Sequence, residues 1–451
     1  MALPAATVWE VRPTAGSDTN GGGFVAGASG TDYSQQNAAN SAGSNISTTD
    51  VVATGVATIT SATASFTSAI VGNVIYLAGS GITTGWYEVV TYTNGTTVVL
   101  DRSPGTGTGV TMNVGGALAH ISVAYGAAVA SNTIYVKATG SNVETTTIIL
   151  TQRSSPPLQF IGYGTARGDG GQVTWTTATN STPLVEPSSG NPCSYVFENF
   201  AFTNTAGTPA PMLSGSVNSQ LFLVWFNNCT FSGFTSAVLG GYAGGTNFDI
   251  KFVFFDECLI SGCTSHGVTT SGGWTFTGCL IQGNAGDGIH VTQIGSGSID
   301  SGALVLVRTV VYNNTGSGIN FAENLSPFGG QYTYPVLINS ALDANGADGI
   351  TWSNTQANLS LQLQNSIVEN NAGFGLNNTG STANLGIIDT FNNAYRNNTS
   401  GNFAGGFVNG PGDVALTAEP FNNPSGGDFS LNSTAGGGAA CKAVGFPSSL
   451  P

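Results

Sequence analysis

The sequence predicts an all-β protein whose main part is a single-stranded parallel β-helix, and three observations carry this prediction. The 451 residues include 65 glycines but only 9 basic and 23 acidic residues, and Thr, Ser and Asn are abundant; this composition favours strands and turns over helical bundles. A small residue precedes an apolar pair at intervals of 21 to 31 residues between positions 200 and 393. Other residue types recur at fixed distances behind that small residue, which is typical of a solenoid and not of a β-sandwich.

The repeat contains four columns of constant spacing. The small-residue column consists of Phe200, Cys229, Cys258, Cys279, Thr309, Ser340, Ser366 and Asn393. Five residues after the small position stand Asn284, Asn314, Asn345, Asn371 and Asn398. Nine residues after it stand Gly267, Gly288, Gly318, Gly349 and Gly375. Ten residues after it stand Leu239, Val268, Ile289, Ile319, Ile350, Leu376 and Phe403.

Stacking of successive coils gives each column a physical role. Equivalent positions of neighbouring coils lie about 4.8 Å apart, so asparagines in one column can hydrogen-bond to each other and to the backbone. Asparagine also tolerates the left-handed conformation that a tight corner needs. Glycine suits positions where φ is positive or where two backbones approach closely. The Ile/Leu/Val column is predicted to point inwards and to form the core.

The chain is predicted to contain an N-terminal attachment or cap segment, a small inserted β module, the β-helix and a C-terminal capping segment, at residues 1–49, 50–116, 117–410 and 411–451. Within the module, strands are predicted at residues 73–77, 86–93 and 96–101. Residues 117–130 have the apolar spacing of a helix. This helix is expected to cap the first coil, because an open solenoid end exposes strand edges and core.

The candidate catalytic residues lie in a further column, eight residues after the small position: His266, Asp287, Ser317, Asp348 and Phe374. His266, Asp287 and Ser317 are the residue types of a nucleophilic triad, but a linear stack leaves the histidine at one end. Asp287 and Asp348 lie two coils apart, about 10 Å, near the upper limit for the carboxylates of an inverting glycosidase. Both precede a corner glycine, where Asp is a common turn residue. A structural role is therefore favoured, and Asp287, Asp348 and His266 are weak catalytic candidates.

Cysteines and aromatic residues cluster in the first registered coils. Three cysteines fall in the small column, where polarizable core residues explain them without redox chemistry: Cys229, Cys258 and Cys279. Five aromatic residues precede the small positions: Trp225, Phe226, Phe252, Phe254 and Phe255. They form either a carbohydrate-stacking platform or, as the favoured interpretation, a core or intersubunit contact. No metal or cofactor site is predicted.

The charge pattern excludes some partners. The formal net charge is −14 and no basic cluster occurs, which disfavours nucleic acid and anionic membranes as partners. No apolar run reaches the length of a membrane span. The first ten residues lack the basic and apolar regions of a secretory signal, so assembly in the cytoplasm of a host cell is expected.

The columns resemble those of right-handed parallel β-helix proteins of the pectin-lyase-like type, a fold that hosts lyases, hydrolases and inert scaffolds. The opening residues 9–24 (WEVRPTAGSDTNGGGF) resemble the openings of β-helix proteins encoded by tailed bacteriophages. This resemblance implies a structural virion protein: a capsid decoration or cement protein, a fibre or a tailspike. Such a protein works by assembly and surface exposure, so the enzyme question stays open with catalysis disfavoured.

The resemblance also implies partners and a location. A homotrimer is expected, in contact with other virion proteins such as the major capsid protein and exposed on the particle surface. A host surface glycan is a further candidate partner, and no cofactor is expected. Two alternatives stay open: a tailspike-type polysaccharide depolymerase (hydrolase or lyase) and a non-catalytic glycan-binding surface protein. An acid cluster in a groove would favour the enzyme, and a broad apolar flank would favour assembly.

Overall fold

The computed structural model describes residues 3, 6–39, 47–144, 146–151, 157–177, 182–187, 193–214, 220–240, 249–270, 273–292, 302–322, 333–353, 359–380 and 385–445. The protein is all-β, with 5% helix, and contains a β-solenoid of about 7 turns. The chain divides into two compact units, which comprise residues 1–144, 153–176 and 194–200, and residues 145–152, 177–193 and 201–451. Neither described helix is long and apolar enough to cross a membrane.

Three parallel sheets form the walls of the second unit, and successive coils add one strand to each. Within this unit, sheet A consists of Gln220–Asn227, Asp249–Asp256, Thr275–Thr277, Gly302–Val307, Thr333–Ile338, Leu359–Gln364 and Leu385–Phe391. Sheet B consists of Phe200–Asn204, Thr230–Ser232, Leu259–Ser261, Leu280–Gln282, Val310–Tyr312, Ala341–Asp343, Ile367–Glu369, Ala394–Arg396 and Val414–Ala415. Sheet C consists of Ile148–Leu150, Val185–Pro187, Leu213–Ser214, Val238–Gly240, Val268–Thr270, Ile289–Val291, Ile319–Phe321, Ile350–Trp352, Phe374–Asn378 and Gly401–Ala404.

The register of sheet C brings the apolar column together. Ile289 pairs with Ile319, Ile319 with Ile350, and Ile350 with Leu376. These four side chains are at most 2% exposed, and burying each one stabilises the fold by roughly 1.5–3 kcal/mol. The column therefore forms a continuous apolar wall inside the second unit.

One assignment in the apolar column is wrong. Leu239 pairs with Thr269 and is only partly buried, whereas its neighbour Val238 is fully buried. The coil that begins at Cys229 reaches the inward position after nine residues instead of ten, so the constant spacing fails there by one residue. Because strand side chains alternate between faces, this single residue turns Leu239 outwards.

Single residues in the left-handed conformation make the two corners beside the strands of sheet B. The residue before the small position has φ between 47° and 61° in Asn228, Glu257, Gly278, Arg308, Asn339, Asn365 and Asn392. The residue before the asparagine column has φ between 49° and 62° in Gly262, Gly283, Asn313, Ala344, Asn370 and Asn397. The expectation that the stacked asparagines themselves take this conformation is therefore wrong, since the preceding residue makes the turn.

The asparagine column is a continuous hydrogen-bonded row. Each Nδ2 donates to Oδ1 of the next coil at 2.8 to 3.0 Å along Asn284, Asn314, Asn345, Asn371 and Asn398. Each Nδ2 also reaches a backbone carbonyl of the preceding coil, as from Asn345 to Val311 (3.1 Å). The five side chains are at most 7% exposed, and such buried polar atoms need these partners.

The glycine and small-residue columns serve close packing. A Cβ on Gly318 would lie 2.7 Å from the carbonyl oxygen of Gly349, so close approach of the coils, and not a positive φ, requires glycine there. The small residues bond the backbone: the N–H of Thr309 donates to Ser340 Oγ (3.2 Å). Burial raises the pKa of the Cys258 thiol well above its ordinary value, which makes it unreactive.

In the first unit, Thr7–Val11 pairs in parallel with Thr133–Lys137, which pairs with Leu158–Tyr163. Gly23–Val25 pairs antiparallel with Thr7–Val11, and the other coil strands are Asn142–Glu144, Val173–Thr177 and Cys193–Glu198. An α-helix spans Ile121–Ala127, inside the predicted range 117–130. It buries Tyr125, whose ring centroid lies 6.2 Å from that of Phe160.

The opening residues stabilise the first unit through ion pairs and hydrogen bonds. Glu10 is fully buried and contacts Arg12 at 3.1 Å and Arg167 at 2.7 Å. Asp18 Oδ1 accepts hydrogen bonds from the backbone of Ala119 and His120 (3.0 and 3.1 Å). The sequence motif at residues 9–24 therefore has a structural role inside this unit.

Residues 47–114 of the first unit form a closed antiparallel barrel. In the order of pairing, its strands are Ser47–Thr54, Thr58–Thr60, Thr97–Leu100, Gly85–Asn94, Val74–Ala78 and Thr106–Val114. A 3-10 turn at Ser68–Ile70 lies between two of them. The barrel has its own core, which includes Ile59, Leu77, Val89 and Met112. The sequence predicted three of the six strands.

The C-terminal segment lies along the outward face of sheet B. After Val414–Ala415, it forms the hairpin Phe421–Asn423 and Asp428–Leu431, with a 3-10 turn at Pro424–Gly426, and the helix Gly438–Ala443. Its apolar side chains and the outward residues of sheet B form one cluster: Leu416, Phe421, Phe429, Leu431 and Cys441 with Val310, Ala341, Ile367 and Ala394. The segment predicted at residues 411–451 therefore covers the outward residues of sheet B, which are apolar and would otherwise be exposed.

Candidate functional site

The corner row, defined as His266, Asp287, Ser317, Asp348 and Phe374, lies where the chain enters sheet C. From Asp287 onwards, each backbone N–H in the row donates to the row side chain of the preceding coil. The distances are 3.0 Å from Asp287 N to His266 Nδ1, 2.8 Å from Ser317 N to Asp287 Oδ1, 3.3 Å from Asp348 N to Ser317 Oγ and 2.7 Å from Phe374 N to Asp348 Oδ1. The row is thus a second ladder between coils.

Asp287 is 6% exposed and its carboxylate is fully engaged. Oδ2 lies 2.7 Å from His290 Nδ1 and 3.3 Å from His266 Nδ1, and accepts from Asn320 Nδ2 at 3.1 Å. Burial alone would raise the pKa of Asp287, but the contacts with His266 and His290 and the hydrogen bonds from the Ser317 backbone and Asn320 outweigh it and hold the pKa well below its usual range. A carboxylate so stabilised in its ionised form is a poor general acid.

Asp348 is engaged in the same way. Its Oδ2 accepts from Thr351 Oγ1 (2.8 Å) and from Asn377 Nδ2 (2.9 Å). Ser317 Oγ lies 2.7 Å from Thr351 Oγ1 and faces no histidine, so the structure does not assemble a nucleophilic triad from the row. All three weak catalytic candidates therefore act as cross-coil bonds.

His290, which the sequence did not single out, completes the contacts of Asp287. His290 lies in the middle of Ile289–Val291, whose first and last residues are buried. Strand alternation places His290 on the outward face. Two features of the sequence could have pointed to His290. It is a single polar residue between two apolar ones, and the next coils carry the polar residues Asn320 and Thr351 at the same position.

An aromatic groove lies on the outward face of sheet A. Its volume is about 410 Å³, and it is lined by Leu223, Trp225, Phe254, Phe255, Asp256, Thr275 and Thr277. Trp225 pairs with Phe254 of the next coil and is 43% exposed. Phe252 is exposed beside it, while Phe226 and Phe255 stack inside the core with ring centroids 5.2 Å apart. The five aromatics singled out in the sequence therefore divide between core and surface.

The groove carries little charge. Asp256 is its one charged lining residue. At the corner after Asp256, Glu257 contacts Arg308 at 3.4 Å, and both side chains are about half exposed. Arg308 thus serves as the counter-ion of Glu257 at the surface and supplies no free base to the groove.

Two further carboxylates are buried beneath the C-terminal segment. Asp343 and Glu369 pair on adjacent strands of sheet B and are at most 1% exposed. Arg396 Nε donates to Glu369 Oε2 (2.7 Å), and Arg396 also contacts Glu419. Asp343 Oδ2 and Glu369 Oε1 have no hydrogen-bond partner among the described residues.

The shared burial of these two carboxylates raises their pKa values. Burial, followed by the charge of Glu419, raises the pKa of Asp343 to about 7 against the opposing Asn370 and Arg396. Burial and the neighbouring Asp343 raise the pKa of Glu369 to about 9, and outweigh its contact with Arg396. Like charges so close in a dry site cannot both ionise readily.

Comparisons with known proteins give structural similarity at low sequence identity. No model of a known protein family matches the sequence, and no curated protein matches it. The pectate lyase Pel9A is 13% identical, with 71% of this chain and 85% of that chain covered and a TM-score of 0.46. The tailspike protein of an Acinetobacter phage is 15% identical, with 63% and 55% covered and a TM-score of 0.44. The catalytic domain of a GH87 alpha-1,3-glucanase in complex with nigerose is 13% identical, with 78% and 80% covered and a TM-score of 0.37.

Proposed function

We propose that this protein is a surface-exposed structural protein of a tailed-phage virion that binds a host glycan in the aromatic groove of sheet A without cleaving it. The exposed Trp225, which pairs with the partly buried Phe254 of the next coil, is the observation that carries the proposal. Ligand sites combine apolar and aromatic walls with a few polar groups, and Asp256, Thr275 and Thr277 supply those groups here. An aromatic face flanked by hydroxyl and carboxylate groups suits a sugar ring, which has an apolar face and a polar rim.

The state of the carboxylates supports binding without cleavage. A glycosidase needs two carboxyl groups on either side of the scissile bond, about 5–9.5 Å apart. Among the described residues of the groove only Asp256 is acidic. Asp287 and Asp348 are engaged in the corner row, and Asp343 and Glu369 lie under the C-terminal segment.

Assembly into a virion is the other half of the proposal. The resemblance of residues 9–24 to phage-encoded β-helix proteins supports it. In this proposal the barrel of residues 47–114 attaches the protein to other virion proteins such as the major capsid protein, and the helix Ile121–Ala127 caps the first coil. A homotrimer with about 1,000 Å² or more of buried surface per interface is the expected assembly, and light scattering should give about three times the chain mass of 45.5 kDa.

Glycan binding is tested with immobilised capsular and lipopolysaccharide glycans from candidate hosts. Trp225→Ala should weaken binding by about tenfold or more, since the loss of a stacked indole removes about 1.4 kcal/mol. Ile149→Ala, which removes another exposed apolar side chain (45% exposed) in sheet C, is the matched control and should bind as the unaltered protein does. Equal binding by Trp225→Ala would overturn the groove assignment, and release of new reducing ends or unsaturated products would overturn binding without cleavage.

A further inference from the structure

Asp287 and Asp348 lie two coils apart and have similar hydrogen-bond surroundings. They differ in the chemical type of two neighbouring side chains. In both, Oδ1 accepts from the backbone of the next coil and Oδ2 accepts from an asparagine of the next coil, at 3.1 Å from Asn320 and 2.9 Å from Asn377. The remaining two neighbours of Asp348 are hydroxyls, Ser317 and Thr351. The corresponding two neighbours of Asp287 are imidazoles.

The surroundings of Asp348, where both of these neighbours are hydroxyls, show which hydrogen bonds the corner row itself requires. Ser317 accepts the backbone N–H of Asp348 at 3.3 Å, and His266 accepts that of Asp287 at 3.0 Å. Thr351 donates to Asp348 at 2.8 Å, and His290 contacts Asp287 at 2.7 Å. Because serine and threonine meet every bonding need of the buried aspartate, the two histidines add a capacity that the corner does not need for its own stability.

We infer that His266, Asp287 and His290 form a binding site for a divalent transition-metal ion such as Zn²⁺. One ligand atom from each residue lies within 4.8 Å of the others. The two imidazole rings stack with centroids 4.0 Å apart and planes 16° apart, and both present Nδ1 to the same carboxylate oxygen. A ligand set of two imidazoles and one carboxylate suits zinc, nickel or copper, whereas calcium and magnesium prefer oxygen ligands alone.

The surroundings support the ligands. Ser317 and Asn320 hold the carboxylate of Asp287 in place, as hydrogen-bond partners of the ligands do in metal sites. The side chains of His266 and His290 are 26% and 18% exposed, so an ion can enter from solvent. The bound ion takes the place of the proton between His290 Nδ1 and Asp287, and His290 then carries its proton on Nε2, so that it binds the ion as a neutral imidazole. His266 then exchanges its hydrogen bond from the Asp287 backbone for the ion.

Equilibrium dialysis of the full chain against ZnCl₂ and CaCl₂ tests this site. We expect one zinc ion per chain at micromolar concentration, no calcium binding at this site, and a rise of Tm with zinc. The double variant His266→Ser with His290→Thr recreates the side chains around Asp348, so it should fold with an unchanged Tm in the absence of zinc and lose the bound ion. The chain has three histidines, and the third, His120, pairs with Asp18, so His120→Ala is the matched control and should keep the zinc.

Three outcomes would overturn the site: no zinc bound by the unaltered protein, zinc retained by the double variant, or zinc lost by His120→Ala. If the double variant does not fold, the absorption spectrum of the Co²⁺-loaded unaltered protein decides. Bands of nitrogen and oxygen coordination that vanish in His290→Ala support the site. Thiolate bands, or no cobalt spectrum, contradict it. This test is independent of glycan binding, because none of the three residues lines the aromatic groove.

Discussion

At the scale of single residues, the second unit is stabilised by side chains that bond from coil to coil. Asn345 illustrates the arrangement: its Nδ2 donates to Asn371 Oδ1 (3.0 Å) and to the carbonyl of Val311 (3.1 Å), and its Oδ1 accepts from the backbone and side chain of Asn314. Each asparagine thus satisfies two buried backbone groups of the preceding coil, a carbonyl and an N–H, beside the corner.

Replacing one asparagine should destabilise the protein measurably. Asn345→Leu leaves the Val311 carbonyl and the Asn314 N–H without partners, so the free energy of unfolding should fall by at least about 1–3 kcal/mol. Denaturation in urea measures the change. Asn422→Leu, at an exposed asparagine in the C-terminal hairpin, is the control and should change stability by less than about 0.5 kcal/mol. Equal midpoints for the two variants would contradict the role of the row.

The sequence indicated which residues stack, but not which ones turn. The asparagine and corner columns were visible because a constant spacing survives insertions elsewhere in the repeat. The left-handed corners were not, because Glu257, Arg308 and Ala344 occupy some of them, and these residue types rarely adopt that conformation. The stacking of the coils imposes the conformation, and no local pattern records it.

At the scale of elements, the C-terminal segment is joined to the solenoid through a group of buried charges. Asp343, Glu369 and Arg396 lie on successive strands of sheet B, and Glu419 reaches Arg396 from the C-terminal segment. Tyr312 and Cys441 border the same group. Three carboxyls share one guanidinium, so the group cannot be neutral while all three are ionised, and proton binding is coupled to the packing of the segment.

Raising the pH should therefore loosen the C-terminal segment. Folding raises the pKa of Asp343 to about 7 and that of Glu369 to about 9, so the folded protein binds these protons more tightly than the unfolded chain. The stability they contribute is fully present below the ordinary carboxyl pKa of about 4 and is lost as the pH rises through the folded values. Hydrogen-exchange protection of Phe421–Asn423 and Asp428–Leu431, corrected for intrinsic rates, should fall between about pH 6 and about pH 9.

A neutral side chain at Glu369 should remove most of the pH dependence of this protection. Glu369→Gln keeps an oxygen for Arg396 but removes the charge, so its protection should vary less over the same pH range. Asp428→Asn alters an exposed carboxyl whose pKa is lowered by hydrogen bonds from Ser430, and it should leave the profile of the unaltered protein intact. Protection that stays constant or increases from neutral to alkaline pH would contradict the coupling.

Several of the elements that the sequence did not predict are defined by distant partners. In the barrel, Ser47–Thr54 and Thr106–Val114 pair with each other across more than fifty residues. No tight turn connects these two strands, whereas a tight-turn sequence marked the strands that were predicted. The C-terminal segment was recognised as a closing element, but its place along sheet B depends on the outward apolar row of Val310, Ala341 and Ile367. From the sequence alone, these outward residues cannot be distinguished from inward core residues, because a strand of three residues is too short to show an alternation of apolar and polar side chains.

At the scale of the whole chain, the barrel is the part whose independence matters most for the proposed attachment role. Its core consists of residues within 47–114 alone. It also contacts the rest of the first unit, since Asn113 Nδ2 donates to the Thr19 carbonyl (2.7 Å) and Asn73 Nδ2 to the Thr31 carbonyl (2.7 Å). Trp86 packs edge-on against Trp9 with ring centroids 6.3 Å apart.

Excising the barrel should leave a folded solenoid. The first and last strands of the barrel pair, with Ser47 opposite Asn113, so their chain ends lie about 5 Å apart and two glycines can replace residues 47–114. Excision exposes the carbonyls of Thr19 and Thr31 to solvent, where water can bond them. It also removes one aromatic pair, which contributes about 0.5–1.5 kcal/mol. Far-UV circular dichroism should remain that of a strand-rich protein with a cooperative thermal transition, and residues 47–114 expressed alone should also fold, because they carry their own core. If neither piece folds, the barrel and the first coils are one cooperative element, and the barrel cannot be an attachment module added to an independent solenoid.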